Sequence, residues 1–404
     1  MRAQREGSQA IAQTVARCRP EVICAYPISP QTHIVEGLSA IVASGALTPC
    51  EFINVESEFA ALSVAIGASA AGARAYTATA SQGLLFMAEA LWNASGLGLP
   101  IVMTVANRAV GAPINIWNDH SDAMALRDSG WIQLYAPDNQ AAADLHILAF
   151  RLAEELSVPV MVCLDGFVLT HAFEAIDVPE QDLVDRYLPP YRPRQMLDPD
   201  NPVTIGAMVG PEAFTEVRYL AHQTQLRALT VIPRLADEFA AVFGRPCPGL
   251  ISPYRVEDAD LVVVALGSVL GTLAETIDEL RDEGQRVGAL GISTFRPFPA
   301  EAVRAALRDG QRVIVLERAF AIGSGGVVSQ DLRTALVGRD CPLSTVVAGL
   351  GGRPVTRPSL RRLLTEALTA PPDPTPAPPS LQFLDLDRDL LARAGGGNAW
   401  PSSA

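Results

Sequence analysis

Short apolar runs alternate with Ala-rich stretches of helical length through the first 177 residues of the chain. Each run has the length of a strand and is rich in β-branched or aromatic residues; the runs are EVICAYP, TPCEFINVE, ARAYTATA, LPIVMTVAN and VPVMVCLDGF. This alternation is typical of βα units around a mainly parallel sheet that is buried on both faces. The pattern therefore predicts one α/β domain over residues 1–177.

The pattern changes after residue 177. Residues 178–259 are rich in proline and polar residues, with one helical pattern near residues 212–243, which predicts an extended connection carrying one helix. Strand, helix and strand follow again in DADLVVVALGSVLGTLAETIDELRDEGQRVGALGI, and QRVIVLERAF and LSTVVAGLGG supply two further strands. We expect a second, smaller α/β domain over residues 260–369.

Residues 370–404 form a proline-rich tail. The segment PPDPTPAPPS is typical of a semi-rigid spacer, and LQFLDLDRDLLARA after it is amphipathic if helical. Two interpretations remain open: residues 382–394 form a short helix that docks on a partner, or the terminus is frayed.

Composition and charge exclude several classes of protein. Hydrophobic residues make up 49% of the 404 residues and charged residues 19%, as in a compact globular protein. The net charge of −13, without a Lys/Arg cluster, predicts neither a nucleic-acid partner nor an anionic membrane. No secretory signal or membrane span is evident. The six scattered cysteines, without a CxxC pair, argue against a zinc site or an iron–sulfur cluster held by this chain alone, so that no metal ligands are assigned, and fit reduced thiols in a cytoplasm.

Three glycine-rich stretches are candidates for phosphate binding: GSVLG from Gly267, GSGG from Gly323 and GLGG from Gly349. The first follows a strand and opens a helix, where anions bind. The GxGxxG spacing is missing, however, and no acidic partner for a ribose is evident. We favour tight turns, which leaves a nicotinamide-binding protein as a weaker alternative.

Polar residues follow the predicted strands of the first domain. Ser29 lies in YPISPQT, Glu58 precedes a helix of small residues, and Ser81 and Gln82 follow the strand TATA. Open α/β sheets bind ligands outside the carboxyl ends of their strands. We therefore expect these residues to gather at one edge of the sheet.

The segment ANRAVGAPINIWNDHSD completes that edge. Arg108 follows a strand, and its guanidinium can bind a small carboxylate through two parallel hydrogen bonds. Asp119, His120 and Asp122 are weak candidates for metal ligands, because one histidine and two carboxylates are not diagnostic. We favour a hydrogen-bonded loop beside the site.

At these residues the sequence resembles the α subunit of the 2-oxoacid:ferredoxin oxidoreductases, most closely the pyruvate type. The matching stretches are YPISPQT, ESEFAA, TATASQGL, NRAVGAPINIWNDHSD, GISTFRPFPAEAV, VLERAFAIGSGG and VVAGLGGRPVT, which span most of residues 26–356. The resemblance implies an α/β fold with mainly parallel sheets. The first domain would be like the pyrimidine-binding domain of thiamine diphosphate enzymes, and the second like the C-terminal domain of transketolase.

The resemblance also implies roles for individual residues. Glu58 matches the glutamate that contacts the aminopyrimidine of the cofactor, and Arg108 matches the arginine that binds the substrate carboxylate. Ser29 stands where the family more often has threonine, the hydroxyl beside the substrate. Further contacts are implied to the cofactor from Pro27, Ile28, Ser81 and Gln82 and to the substrate from Asp119 and His120.

Other parts of the reaction are expected on other chains. The sequence has no GDG segment leading to an asparagine and no cluster cysteines. The resemblance implies a β subunit that carries the diphosphate and Mg²⁺ site, and γ and δ or fused subunits that carry [4Fe-4S] clusters. Thiamine diphosphate would be shared with the β subunit, with coenzyme A as co-substrate and ferredoxin as electron acceptor.

The reaction implied is the reversible oxidative decarboxylation of pyruvate to acetyl-CoA and CO₂, with electrons passing to ferredoxin. Within the family, a branched-chain 2-oxoacid, 2-oxoglutarate or oxalate is an alternative substrate. Outside it, a nucleotide-binding dehydrogenase or a non-catalytic scaffold subunit remains open.

Overall fold

Two large β-sheets, of seven and six strands, organise the residues that the computed structural model describes, 2–369 and 381–393. A small antiparallel sheet pairs Ala3–Glu6 (β1) with Phe173–Ile176 (β8). Among the described helices, none is long and apolar enough to cross a membrane.

The first sheet contains all five strands that the apolar runs predict. In spatial order its strands are Thr294–Arg296 (β12), Ile132–Tyr135 (β6), Val160–Asp165 (β7), Val102–Asn107 (β5), Ala75–Thr79 (β4), Val22–Ala25 (β2) and Glu51–Asn54 (β3). All neighbours are parallel except β12 and β6. Strands β5 and β7 are buried along their whole length, as expected of continuous apolar runs in a parallel sheet.

Helices cover both faces of this sheet. They are Gly7–Arg17 (α1), Thr32–Ala43 (α2), Glu58–Ala70 (α3), Ser81–Phe86 (α4), Ala88–Gly96 (α5), Ser121–Ala125 (α6) and Asn139–Leu156 (α7). Helix α1 packs against α2 and α7 on one face, and α3 packs against β2 and β4 on the other. Side-chain caps start two of them: Ser57 accepts from the N–H of Ala60 at 3.2 Å before α3, and Asp138 begins α7.

The second sheet is formed mainly by the second α/β block. In spatial order its strands are Leu381–Phe383 (β15), Leu343–Val347 (β14), Arg312–Glu317 (β13), Leu261–Ala265 (β10), Val287–Ile292 (β11) and Ile251–Tyr254 (β9), with β9 antiparallel to β11. Its helices are Val269–Asp282 (α10), Ala300–Ala306 (α11), Val327–Ala335 (α12), Arg357–Thr369 (α13) and Arg388–Arg393 (α14), and Leu350–Gly352 forms one 3₁₀ turn.

Two segments differ from the sequence prediction. The connection over residues 178–259 contains helix Gln181–Tyr187 (α8) and strand β9 besides the long helix Phe214–Phe243 (α9). Residues 382–394, for which a short helix and a frayed terminus were both open, begin in strand β15, which pairs with β14, and turn helical only at α14. Ala394 and residues 370–380 lie outside the described residues. The domain limits themselves remain predictions.

The two sheets share apolar packing. Met103 in β5 and Val264 in β10 belong to one continuous core. Strand β12 comes from the second block but pairs with β6, where the N–H of Tyr135 donates to Ser293 O at 2.7 Å. The Tyr135 and Phe295 rings meet edge to face at 6.1 Å. The second block therefore supplies an edge strand to the first sheet.

Candidate active site

The carboxyl ends of β2, β4 and β5 bring three of the expected site residues together. Arg108 Nη1 donates to the carbonyl oxygen of Ser29 at 2.9 Å. The buried carboxylate of Asp122 accepts from the backbone N–H of Ser81 at 2.9 Å and of Arg108 at 3.0 Å. Asp122 thus connects the segments of this edge through hydrogen bonds, which agrees with the hydrogen-bonded loop favoured from the sequence over a metal site.

Arg108 is 7% exposed and forms no ion pair among the described residues. Its guanidinium donates to two carbonyl oxygens, those of Ser29 and Asn115, the latter at 3.3 Å. Burial lowers the pKa of Arg108, and Asp122 partly offsets this. Because a guanidinium has five N–H donors, several remain available to a carboxylate ligand.

Asp122 is fully buried, and burial raises the pKa of its carboxyl. Hydrogen bonds oppose that shift, including one from Asn107 Nδ2 at 2.7 Å and one from the N–H of Ala123 at 2.8 Å. The carboxylate therefore holds the start of α4, the end of β5 and the start of α6 in fixed relation.

Glu58 is the first residue of α3 and is 8% exposed. Within the described residues, no hydrogen bond or ion pair reaches its carboxylate. Thr79 Oγ1, at the end of β4, is likewise buried without a partner. A Cβ at Gly83 would lie 2.6 Å from Glu58 Oε1 and 2.7 Å from Thr79 Oγ1, so glycine leaves just enough room for both groups.

Leaving a buried polar group without a hydrogen bond is unfavourable, so these two groups fit a ligand that supplies donors and acceptors. The aminopyrimidine of thiamine diphosphate has both. Glu56, the other glutamate of the ESE segment, is exposed. The structure thus distinguishes the two glutamates.

The remaining expected cofactor contacts differ in exposure. Ser81 is fully buried with φ of 51°, in the left-handed region, and its hydroxyl contacts Ala109 O at 2.5 Å as well as the Gln82 side chain. This serine therefore fixes a turn. Pro27 is exposed and Ile28 half-buried on the segment after β2.

Asp119 and His120, the expected substrate contacts, form hydrogen bonds with other groups of the protein. Asp119 accepts from the N–H of Ser121 at 2.9 Å and of Gly351 at 3.0 Å. His120 Nε2 lies 2.7 Å from Asp165 Oδ1. These contacts agree with a hydrogen-bonded loop, and substrate contact by either side chain stays a prediction.

Asp165, at the end of β7, links the two sheets. Its Oδ2 accepts from the backbone N–H of Ser268 at 2.8 Å, from the Ser268 hydroxyl, and from Arg318 Nη1 at 3.1 Å. Burial alone would raise the pKa of Asp165, but Arg318 and His120 outweigh it and hold that pKa well below its usual range. Neither Asp165 nor Arg318 was a candidate from the sequence, although Asp165 is the last residue of β7 and Arg318 directly follows β13.

The glycine-rich stretches are turns, as expected. Gly267 has φ of 74°, and a Cβ there would lie 3.0 Å from Asp165 Oδ2. Gly351 O accepts from Asn115 Nδ2 at 3.1 Å, and a Cβ at Gly352 would overlap Trp117. Two of the three stretches therefore bring the second block close to the site loop of the first.

The third stretch lies at the N-terminus of α12. The buried carboxylate of Glu317 accepts there from the backbone N–H of Ser329 at 2.7 Å and from its hydroxyl at 2.7 Å. Burial raises the pKa of Glu317, and these bonds oppose the shift. A side-chain carboxylate thus occupies the place where a phosphate would bind.

Two family models match most of the chain. Residues 13–236 match the family model described as pyruvate flavodoxin/ferredoxin oxidoreductase, thiamine diphosphate-binding, and residues 259–359 match pyruvate:ferredoxin oxidoreductase core domain II. The chain belongs to this family. The resemblance and the α/β fold class inferred from the sequence are confirmed.

Among relatives in this family, pyruvate synthase subunit PorA of Methanosarcina barkeri is 47% identical, over 96% of this chain and 97% of that protein. Ketoisovalerate oxidoreductase subunit VorA of Pyrococcus horikoshii is 39% identical, over 87% and 89%. The solved 2-oxoglutarate:ferredoxin oxidoreductase from Magnetococcus marinus shares the fold with a TM-score of 0.67 at 20% identity, covering 91% of this chain. This chain spans 65% of the length of that one.

Proposed function

We propose that the chain is the α subunit of a heteromeric 2-oxoacid:ferredoxin oxidoreductase that converts pyruvate and coenzyme A to acetyl-CoA and CO₂, reversibly, with electrons passing to ferredoxin. The observation that carries the proposal is that Glu58 and Arg108, both buried at one edge of the sheet, form no ion pair with any residue that the structure describes. Membership of the family and the 47% identity to a pyruvate synthase subunit support it.

Thiamine diphosphate, when bound, supplies a nucleophilic carbon for the 2-oxo group and a ring that accepts the electrons released with CO₂. Glu58 would hold a proton between its carboxylate and a pyrimidine nitrogen, with Thr79 Oγ1 as a neighbouring hydrogen-bond partner. Burial excludes water from this proton and so favours its transfer inside the site. Pro27, Ile28, Ser81 and Gln82 would shape the walls around it.

Arg108 would bind the substrate carboxylate, because its guanidinium has free donors and is shielded from water. Its bond to the Ser29 carbonyl holds the segment after β2 beside it. The Ser29 side chain is exposed, and no hydrogen bond within the described residues occupies its hydroxyl. That hydroxyl is free to contact the 2-oxo oxygen.

Partner chains would complete the site. We assign the diphosphate and Mg²⁺ to a β subunit and the [4Fe-4S] clusters to γ and δ or fused subunits. Ile114 and Trp117, on the site loop, are 77% and 53% exposed, as expected of a surface that another chain covers. All six cysteines are free, which supports a cytoplasmic enzyme.

The test is a steady-state assay of the complex purified without oxygen, with coenzyme A, ferredoxin and each of four substrates: pyruvate, 2-oxoisovalerate, 2-oxoglutarate and oxalate. We expect pyruvate to give the highest kcat/KM. The 39% identity to a ketoisovalerate enzyme makes a branched-chain acid the second candidate. A higher kcat/KM for that acid would reject the substrate assignment, and oxidation of none would reject the function.

A further inference from the structure

Three half-buried side chains from distant parts of the sequence meet in the first block. Glu6 ends β1, His33 is the second residue of α2, and His171 lies in the turn between β7 and β8. One ligand atom from each lies within 4.8 Å of the other two. We propose that Glu6, His33 and His171 bind one divalent transition-metal ion, with Zn²⁺ as the occupant.

The donor set suits this ion. Two imidazoles and one carboxylate form a common protein site for zinc, with a fourth position left for water. His33 Nδ1 now lies 2.6 Å from Glu6 Oε1, and the two histidine rings have centroids 4.6 Å apart. Zinc bonds of about 2.0–2.2 Å place ligand atoms roughly 3.3 Å apart, so the contact between Glu6 and His33 would open by under about 1 Å.

Exposure gives the ion a route to the site. The Glu6 side chain is 15% exposed and the His33 side chain 43%. An ion can therefore enter past His33 and reach a carboxylate that is largely shielded from water. Such shielding strengthens attraction between the ion and the carboxylate.

His171 has a partner that orients its ring. Its Nδ1 lies 2.7 Å from Thr170 Oγ1, which also accepts from the N–H of Phe167 at 2.8 Å. A hydroxyl oxygen has two lone pairs, so it can accept from both groups. In the tautomer with its proton on Nδ1, the ring donates to Thr170 and leaves Nε2 for the metal, the arrangement in which a metal-binding histidine is held by a second partner.

The backbone around the cluster is also held. Ser8, two residues after Glu6, donates to Thr170 O from its N–H at 2.9 Å and from its hydroxyl at 2.8 Å. Glu6 itself pairs with Phe173 in the β1–β8 ladder. Two of the three ligands therefore sit on segments joined by hydrogen bonds, which lowers the entropy lost on binding an ion.

The ion would also link α2, the helix that follows Ser29, to the end of β1 and to the turn between β7 and β8. His33 lies four residues after Ser29, in the first turn of α2. No hydrogen bond or ion pair among the described residues joins these three side chains to Glu58 or Arg108.

The experiment uses the full-length chain after treatment with a chelator, with Zn²⁺ affinity measured in competition with a chromophoric chelator. We expect one Zn²⁺ per chain. His33→Asn, His171→Asn and Glu6→Gln should each weaken binding by more than about 100-fold, the upper range for loss of an outer-shell partner. His222→Asn is the matched control, because His222 is exposed on α9.

Circular dichroism melts without metal show whether each variant folds like the wild type. The proposal is wrong if the folded wild type takes up no Zn²⁺, or if the cluster variants bind it as tightly as His222→Asn does. If the isolated chain does not stay folded, zinc-edge X-ray absorption of the assembled complex decides, because it reports histidine ligands to zinc independently of iron clusters. Absence of that signal from the wild type overturns the site.

Discussion

Glu58 and Arg108 are buried, and neither side chain forms an ion pair within the described part of the chain, a condition that costs free energy in the absence of a ligand. The bonds around Ser81, Asp122 and Ser29 hold the surrounding backbone in place whether or not a ligand is bound. Binding of a cofactor at Glu58 and of a carboxylate at Arg108 should therefore offset this unfavourable contribution to the free energy. This expectation leads to one prediction for each.

Glu58→Gln should keep the shape of the side chain and a hydrogen bond but remove the group that shares a proton with the pyrimidine. We expect the complex to assemble and proton exchange at the thiazolium carbon of bound thiamine diphosphate to slow by about 10²–10⁴-fold, the range for general acid–base groups. Exchange is followed by NMR in acid-quenched samples. Glu56→Gln, at the exposed neighbour, should exchange at the wild-type rate; the reverse result would make Glu56 the catalytic residue.

Arg108→Met should lose binding of the 2-oxoacid and keep bound thiamine diphosphate. An unbalanced carboxylate in the site should reduce transition-state stabilisation by about 2–5 kcal/mol, read from kcat/KM. Arg127→Met, at a half-buried arginine beyond α6, serves as control. Unchanged kcat/KM in the Arg108 variant would remove this residue from the site.

At the scale of elements, the close contact between α4 and Glu58 restricts the size of the side chain at position 83. Gly83→Ala introduces a Cβ 2.6 Å from Glu58 Oε1, although alanine is the better helix former. We expect kcat to fall because Glu58 is displaced, with little or no gain in Tm.

Gly67→Ala is the matched control, because nothing lies within 4 Å of a Cβ at this position in α3. It should raise stability by about 0.5–1 kcal/mol and leave kcat unchanged. Thermal melts and assays of both variants test the comparison. Wild-type kcat in Gly83→Ala would show that the contact does not position Glu58.

The pattern of apolar residues predicted some elements better than others. Strands β5 and β7 were evident because burial on both faces demands a continuous apolar run. Strand β6 was not, since it is short and contains the polar Gln133, whose Nε2 donates to Ala123 O at 2.9 Å. Strand β12 pairs with a partner far away in sequence, and no local pattern reports such pairing.

The same reasoning applies to the site. Ser29, Glu58 and Arg108 could be proposed as site residues from the sequence because each follows a strand and matches a family motif. The role of Asp165 could not, because its partners Ser268 and Arg318 come from the other sheet. The proposed zinc site likewise depends on three segments that only the fold brings together.

At the scale of the whole molecule, Asp165 joins the two blocks through a buried ion pair. Asp165→Asn leaves Arg318 without its counter-ion and should lower the free energy of unfolding by about 3–5 kcal/mol, measured with denaturant at pH 7. Asp258→Asn, which removes an exposed partner of Arg281, is the control and should change stability little.

The sign of the pH dependence follows from the lowered pKa of Asp165. Its contribution to stability is complete above the pKa of the unfolded chain, about 3.9, and is lost as pH falls toward the folded pKa. Asp165→Asn should therefore lose less stability than the wild type between about pH 5 and pH 3. Equal losses in both proteins would contradict the ion pair.

The position of strand β12 restricts where the chain can be divided into fragments. A fragment ending at residue 259 would contain most of the first sheet but not residues 294–296, so the free N–H and C=O groups of β6 would face solvent. Open strand edges pair with other chains and promote aggregation. The two blocks are therefore not interchangeable modules: a chimaera or split protein made at this boundary must carry the edge strand with the first block to stay monomeric.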